Sequence, residues 1–192
     1  MFRWLALAVF VLTLGISARL RARARRQTGT IPRSQESGAL IAGRLAVALP
    51  LFASVLVYLL NPGWMEWASL GLHPSLRWLG AALGVAVVPG VHWVLTNLGS
   101  NVSETVLTKE DHQLVTSGPY RWVRHPLYAV GICLFLSVGL MAANAFILAW
   151  TAVALIAVRL VVVPREESAL IAKFGDAYRD YRGGTGALFP KL

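Results

Sequence analysis

The sequence predicts an all-α fold, a polytopic membrane helical bundle, and three observations carry that prediction. Hydrophobic residues make up 56% of the 192 residues and charged residues only 14%, with a mean hydropathy of +0.60; a soluble domain carries about 25% charge. The apolar residues gather into zones that meet or approach the length of about 20 residues needed to cross a hydrocarbon core of ~30 Å. Basic residues cluster on alternate loops, as they do where those loops face the cytoplasm.

Taken in order, Trp4–Ala18 reads as a short first span. A polar linker, Arg19–Gly38, follows it, with a turn signal at Gly29-Thr30-Ile31-Pro32. Ala39–Leu60 is the second span and Leu76–Leu98 the third. The fourth zone, Leu127–Val163, is too long for one straight crossing, and Ala142-Ala143-Asn144 near its middle supplies a tight turn. It therefore divides into Leu127–Met141 and Ala145–Val163, a helical hairpin that brings the total to five spans. Pro126 stands where the fourth span begins, a position at which proline leaves no N–H unpaired. Beyond Arg165 the residues Leu170, Phe174, Tyr178 and Tyr181 recur at three- or four-residue spacing and predict a cytoplasmic C-terminal helix to about Arg182. Gly183-Gly184-Thr185-Gly186 then reads as a loop. The whole, 1–192, is one domain: 1–97 holds the first three spans, and 98–192 holds a polar loop, the hairpin and the tail.

Charge sets the expected orientation. The first loop holds Arg19, Arg21, Arg23, Arg25, Arg26 and Arg33 against Glu36, whereas Asn61–Ser75 has Glu66 and no Lys or Arg. Gly99–Pro126 carries Lys109, Arg121 and Arg124, and the tail after Pro164 carries five more basic residues. This alternation puts the N-terminus outside and the C-terminus in the cytoplasm. Reading Met1–Ala18 as a cleaved signal peptide would strand the arginine cluster on the outer face, against that tendency. The net charge of +9 belongs to these loops, and no nucleic-acid partner is expected. Cys133 lies in an apolar run as a small hydrophobe. The four histidines show no close ligand spacing with Cys or His, so no metal is expected either.

The chemistry is concentrated in His112–Tyr128, HQLVTSGPYRWVRHPLY, and in Glu166-Glu167. A membrane-length hairpin separates the two, so both meet at one membrane face. His112, Gln113, Leu114 and Val115 precede a turn at Ser117-Gly118-Pro119; backbone groups there can bond a flat heterocycle while Leu114 and Val115 cover its face. A helix beginning at Pro126 directs its free N–H groups and positive dipole end at that face, where they can hold an anion such as an amino-acid carboxylate. His125 and Tyr128 can add hydrogen bonds. Opposite them, Glu166 or Glu167 can accept from an ammonium group or complement a sulfonium charge. Facing walls of that kind suit the amino-acid end of S-adenosylmethionine.

The pattern Leu114-Val115-x-x-Gly118-x-Tyr120-x-x-x-Arg124-His125-Pro126-x-Tyr128, then Glu166-Glu167, resembles the isoprenylcysteine carboxyl methyltransferase family. Phe174-Gly175-Asp176-x-Tyr178-x-x-Tyr181 and Leu98-Gly99-x-Asn101-x-Ser103 extend the likeness, which is close from Leu98 to the C-terminus and topological before it. The resemblance implies a small helical membrane enzyme using S-adenosyl-L-methionine. Its cofactor contacts would fall on His112, Gln113, Leu114, Val115, Tyr120, His125, Pro126, Leu127, Tyr128, Glu166 and Glu167. Such methyltransferases typically place a substrate-contacting arginine four residues before the first glutamate, where this chain has Val162; Arg159 or Arg165 is the available substitute.

The expected reaction is methyl transfer to a lipophilic acceptor that enters from the membrane lipids between the third and fourth spans, with Arg159 steering an anionic head and Glu166 in the active site. A prenylcysteine carboxylate is the first acceptor class; phospholipid amines and thiols are the alternatives. Two other classes also fit the composition. One is a nicotinamide-dependent membrane reductase, and the other is a non-catalytic module that binds lipid head groups or a partner.

Overall fold

The computed structural model describes residues 1–28, 37–99 and 113–191. Its elements run α1 (Phe2–Thr28), α2 (Gly38–Leu60), a 3-10 stretch (Pro62–Ala68), α3 (Pro74–Leu98), a short 3-10 turn (Gly118–Arg121), α4 (Pro126–Ala142) and α5 (Ala145–Ala157). A π-helical turn (Val158–Val162), α6 (Val163–Phe174) and α7 (Asp176–Gly184) complete the chain. Among the described residues, four helical runs are long and apolar enough to cross a membrane: Phe2–Arg26, Gly38–Leu60, Pro74–Leu98 and Ala145–Phe174. Pro126–Ala142 is a shorter apolar helix of 17 residues. The protein is an all-α, multi-pass integral membrane bundle.

Three boundaries differ from the sequence reading. The first helix does not stop at Ala18 but continues through the arginine-rich stretch to Thr28. Arg, Leu and Ala are all strong helix formers, so charge ends the apolar zone without ending the helix. The tail is not one helix either. Gly175, at φ +57°, breaks it into α6 and α7, since glycine enters that backbone region without a Cβ clash. α7 also extends over Gly183 and Gly184, which the sequence reading assigned to a loop.

The core lies where α1, α3 and α4 meet, with α2 and α5 beside them. Val9 and Phe10, Leu51 and Val55, Val87 and Val91, Leu134 and Val138, and Ile147 are buried together. Phe52 and Phe135 meet edge-on at 5.0 Å between ring centroids, and Phe10 lies 6.0 and 6.2 Å from them. Leu45, Leu56, Val85, Ile156 and Leu160 project outward, as expected where the surrounding solvent is lipid. α3 and α4 pack most extensively, and glycine makes this possible. A Cβ on Gly80 would stand 2.6 Å from Leu140 Cβ and 2.9 Å from the Ser137 carbonyl oxygen.

The hairpin turn falls where the sequence places it. Ala143 takes φ +50°, and the Asn144 side chain caps α5 by accepting from the Ile147 N–H at 3.1 Å while donating to the Met65 carbonyl at 3.0 Å. Turn and 3-10 stretch are thereby tied at one end of the bundle. Arg77 donates to the Met141 carbonyl from two nitrogens, at 3.0 and 2.8 Å, meeting the orphan carbonyl end of α4 with positive charge. The apolar part of the last long helix ends at Val163; Pro164-Arg165-Glu166-Glu167 begins its emergence at the other end of the bundle. There α1 ends, and α2 and α4 begin.

Candidate active site

Pro126 occupies the first turn of α4 and His125 its N-cap, as the motif predicts. The His125 side chain is left free for other work, because it caps nothing in its own helix. A strap from the C-terminal segment positions it. Arg124 N–H donates to the Gly186 carbonyl at 2.9 Å, His125 N–H to the Ala187 carbonyl at 3.0 Å, and Val123 pairs with Gly186 in an isolated parallel bridge. Tyr181 adds a bond from its hydroxyl to the Tyr120 carbonyl at 2.6 Å. The motif loop and the tail, about sixty residues apart in sequence, are thus one structural unit.

The two glutamates differ in circumstance. Glu167 is 5% exposed and saturated: its Oε1 receives Arg124 Nε and a second Arg124 nitrogen, each at 2.8 Å, and its Oε2 receives Arg182 Nε at 3.1 Å. Arg124 also donates to the carbonyls of Arg182 and Thr185. Burial would raise the Glu167 pKa, but His125 and Arg124 bonded to it hold it down at about 2. His125 lies between the pair, with Nε2 3.4 Å from Glu167 Oε1 and Nδ1 3.5 Å from Glu166 Oε2. Burial of the ring opposes its charge, yet the flanking carboxylates prevail and its pKa lies above the ordinary histidine value. Glu166, by contrast, keeps Oε2 buried with no hydrogen-bond partner among the described residues.

Tyr128 stacks on His125 at 6.0 Å between centroids and 29° between planes, and its hydroxyl feels the Glu166 charge. It also packs with Leu40 of α2 and Val162, so the start of α2 forms a further wall. Tyr120 is buried and within electrostatic reach of Glu166. Pro126 is buried and Leu127 half-buried against the core. Leu114 and Val115 are half-buried and Gln113 is exposed on the irregular approach to Gly118. Gly118 has φ +58°, and a Cβ there would overlap the Asn97 side chain at the end of α3. His112 lies outside the described residues. Arg159 is exposed on a different face, lining a cleft of about 440 Å³ with Leu155, Ile156, Leu160 and Ala187–Phe189.

Some residues of this neighbourhood carried no mark in the sequence reading. Arg182 and the Thr185–Ala187 strap looked like tail and loop, and their role depends on a long-range return that no local pattern records. Arg44 had a legible signal: it is the one charged residue in α2, and an ionisable side chain inside an apolar span is a functional candidate by default.

Fold and cluster together define a multi-pass helical membrane protein with a buried histidine–diglutamate site at one end of its bundle. Residues 81–172, a stretch that includes both His125 and the glutamates, match the model of the isoprenylcysteine carboxyl methyltransferase (ICMT) family. The protein-S-isoprenylcysteine O-methyltransferase of Dictyostelium discoideum is 30% identical over 155 residues, covering 74% of this chain and 62% of the relative. The cobalt-zinc-cadmium resistance protein CzcN of Cupriavidus metallidurans is 33% identical over 133 residues, covering 68% and 56%. The solved structure of the eukaryotic intramembrane Ras methyltransferase ICMT superposes with a TM-score of 0.57 at 19% identity, covering 97% of this chain and 67% of that one. The fold is therefore that of the solved methyltransferase. The chain spans between 42% and 62% of the length of the first curated relatives it matches.

Proposed function

We propose that the protein is an S-adenosyl-L-methionine-dependent methyltransferase acting on a lipophilic acceptor at the membrane, with a prenylcysteine-type carboxylate as its acceptor class. The observation that carries this reading is the buried Oε2 of Glu166, which accepts no hydrogen bond among the described residues and meets His125 Nδ1 only at a long 3.5 Å. A buried polar atom without a partner costs about 1–3 kcal/mol, and a ligand's ammonium or sulfonium charge would relieve that cost. Beside it, the α4 N-terminus offers N–H groups to a carboxylate. The residues present therefore fit the amino-acid end of the cofactor.

When bound, S-adenosylmethionine supplies a methyl group on a positively charged sulfur. Transfer of that methyl to a carboxylate acceptor would give a methyl ester and S-adenosylhomocysteine with no proton transferred. No general base is required, because the acceptor is already ionised at neutral pH. The chain's contribution is positioning and exclusion of water. Glu166 would receive the cofactor's cationic end, His125 holds Glu166 in place through the contact at 3.5 Å, and Tyr128, stacked on His125, would stand beside the bound group. Tyr120 and Gln113–Val115 would line the remainder of the cofactor surface, with His112 completing it. Glu167 acts on the cofactor indirectly, by fixing Arg124 and His125. The basic loops favour a cytoplasmic location for this end of the bundle, and the acceptor would reach it laterally from lipid.

The test is calorimetric binding of S-adenosylhomocysteine to the detergent-solubilised protein and to Glu166→Gln. The expected result is binding by the wild type and a loss of tenfold or more in the variant, in line with the roughly 1.5–3 kcal/mol of a charged hydrogen bond. A folded wild-type protein that binds none, in detergent and in nanodiscs alike, overturns the reading.

A further inference from the structure

We infer that the cleft between the π turn and the C-terminal strap is a binding site for an anionic phospholipid, whose phosphate meets Arg159. The cleft measures about 440 Å³ and is lined by Leu155, Ile156, Arg159 and Leu160 on one side and by Ala187, Leu188 and Phe189 on the other. It takes in no residue of the histidine–diglutamate cluster, so its occupancy is independent of methyl transfer.

Arg159 is the single charge in the apolar run Leu127–Val163. A guanidinium in such a run is costly in lipid and is retained where it finds a counter-charge. Among the described residues Arg159 has no hydrogen bond or ion pair, and it is exposed. Pro164, where the run begins to emerge from the bundle, lies five residues further on. The long side chain can therefore carry its charge to the level of the headgroups while its stem stays in lipid.

The surroundings select the ligand. Arg159 is the only charged residue of the lining. No carboxylate stands there to receive the amine of a zwitterionic headgroup, whereas a guanidinium holds a phosphate through two parallel N–H bonds. Ile156, Leu160 and Phe189 project outward beside it, an apolar border along which acyl chains can run back into the bilayer. Anionic phospholipids supply both features. They are enriched in the cytoplasmic leaflet, the side proposed above for this end of the bundle.

Occupancy bears on the active site through the backbone. The Ala187 carbonyl accepts the His125 N–H at 3.0 Å and the Gly186 carbonyl the Arg124 N–H at 2.9 Å, while Ala187–Phe189 form one wall of the cleft. Leu188 is buried, and Lys191 Nζ donates to the Gly183 carbonyl at 2.6 Å, which closes the strap into a turn. A lipid held between Arg159 and Phe189 ties the last long helix to this strap. It thereby steadies the segment that carries the Arg124 and His125 backbone.

The experiment combines native mass spectrometry, with phosphatidylglycerol or phosphatidylcholine added, and hydrogen exchange in nanodiscs. The discs contain phosphatidylcholine alone or mixed equally with phosphatidylglycerol. Wild type is expected to retain one phosphatidylglycerol in preference to phosphatidylcholine by about fivefold, the scale of one basic side chain at an anionic surface. Exchange at the amides of 123–125 is expected to slow in the mixed discs. Arg159→Gln is expected to lose both effects. Phe189→Asp sets a negative charge at an exposed position of the same cleft and is expected to lose them too, so the test survives should Arg159→Gln fail to fold. Arg165→Gln removes an exposed charge that does not line the cleft and is expected to keep both. Retention that is the same in wild type and Arg159→Gln, or lost equally in Arg165→Gln, overturns the site and makes Arg159 a general anchor. Retention of N-acetyl-S-farnesylcysteine in place of phosphatidylglycerol would give the cleft to the acceptor and overturn the choice of occupant. Lipid retained with unchanged exchange at 123–125 overturns the coupling to the active site. A wild type that binds no S-adenosylhomocysteine counts against the methyltransferase reading only, so the two fail separately.

Discussion

Glu166 and Glu167 are adjacent in sequence, yet one is saturated with partners and the other is not. Glu167 is enclosed by Arg124, Arg182 and His125, so Glu167→Gln leaves buried cations unpaired. The expected cost is about 1–3 kcal/mol of stability, seen as a lowered melting temperature in detergent, whereas Glu166→Gln gives up only the longer contact with His125 and is expected to lower the melting temperature less. His125 adds a pH dependence whose direction is set by its raised pKa. The folded state holds the proton more tightly than the unfolded chain, so the His125 contribution is fully present below about pH 6.5. It is lost as pH rises through the higher folded value. The melting temperature is therefore expected to fall as pH rises above about 6.5, and His125→Asn is expected to remove most of that fall. A rise with pH in the wild type would contradict the assignment of His125 as a cation held by two carboxylates. At this scale the sequence showed which residue types gather but not how they divide the work. Adjacent glutamates are indistinguishable as letters, and only burial and partners separate them.

At the scale of elements, small residues and one irregular turn set the geometry. Gly80 lets α3 approach α4 so closely that a Cβ would collide with backbone as well as with Leu140. Gly80→Val is expected to cost about 1–3 kcal/mol through overpacking. Gly131 on α4 has nothing within 4 Å of such a Cβ, so Gly131→Ala is expected to be neutral or to stabilise by up to ~1 kcal/mol through helix propensity. Parallel thermal melts distinguish the two, and equal effects would show that the glycine contact does not set the α3–α4 distance. The hairpin turn at Ala143-Asn144 was legible because Asn caps helices and an apolar zone too long for one span has to turn. The π turn at Val158–Val162 was not. It lies just before Pro164, whose ring cannot donate to the carbonyl four residues earlier, and a wider turn is one way a helix absorbs that loss. By adding a residue to one turn it rotates all that follows by about 100°. Arg159 and Glu166 consequently face different clefts, though an uninterrupted helix would place them two turns apart on nearly one face.

For the molecule as a whole, apolar length and loop charge carry most of the architecture. The proposed orientation puts the histidine–diglutamate end in the cytoplasm and the 3-10 stretch Pro62–Ala68 outside. In a Cys133→Ser background, a cysteine at exposed Glu66 is expected to react with an impermeant maleimide in intact cells. One at exposed Arg179 is expected to react only after permeabilisation, and the opposite pattern would invert the topology. The sequence by itself determined that this is a membrane bundle, where its hairpin turns and which segments carry polar chemistry. Those properties depend on transfer from water to lipid and on local backbone preference, and both are functions of short stretches of chain. Only the tertiary structure decided that the tail straps the Arg124–His125 backbone and that Glu167 is enclosed by two arginines while Glu166 is not. These are long-range contacts between segments of unlike composition. Their formation depends on helix rotation and packing distance, which no local pattern of residues encodes.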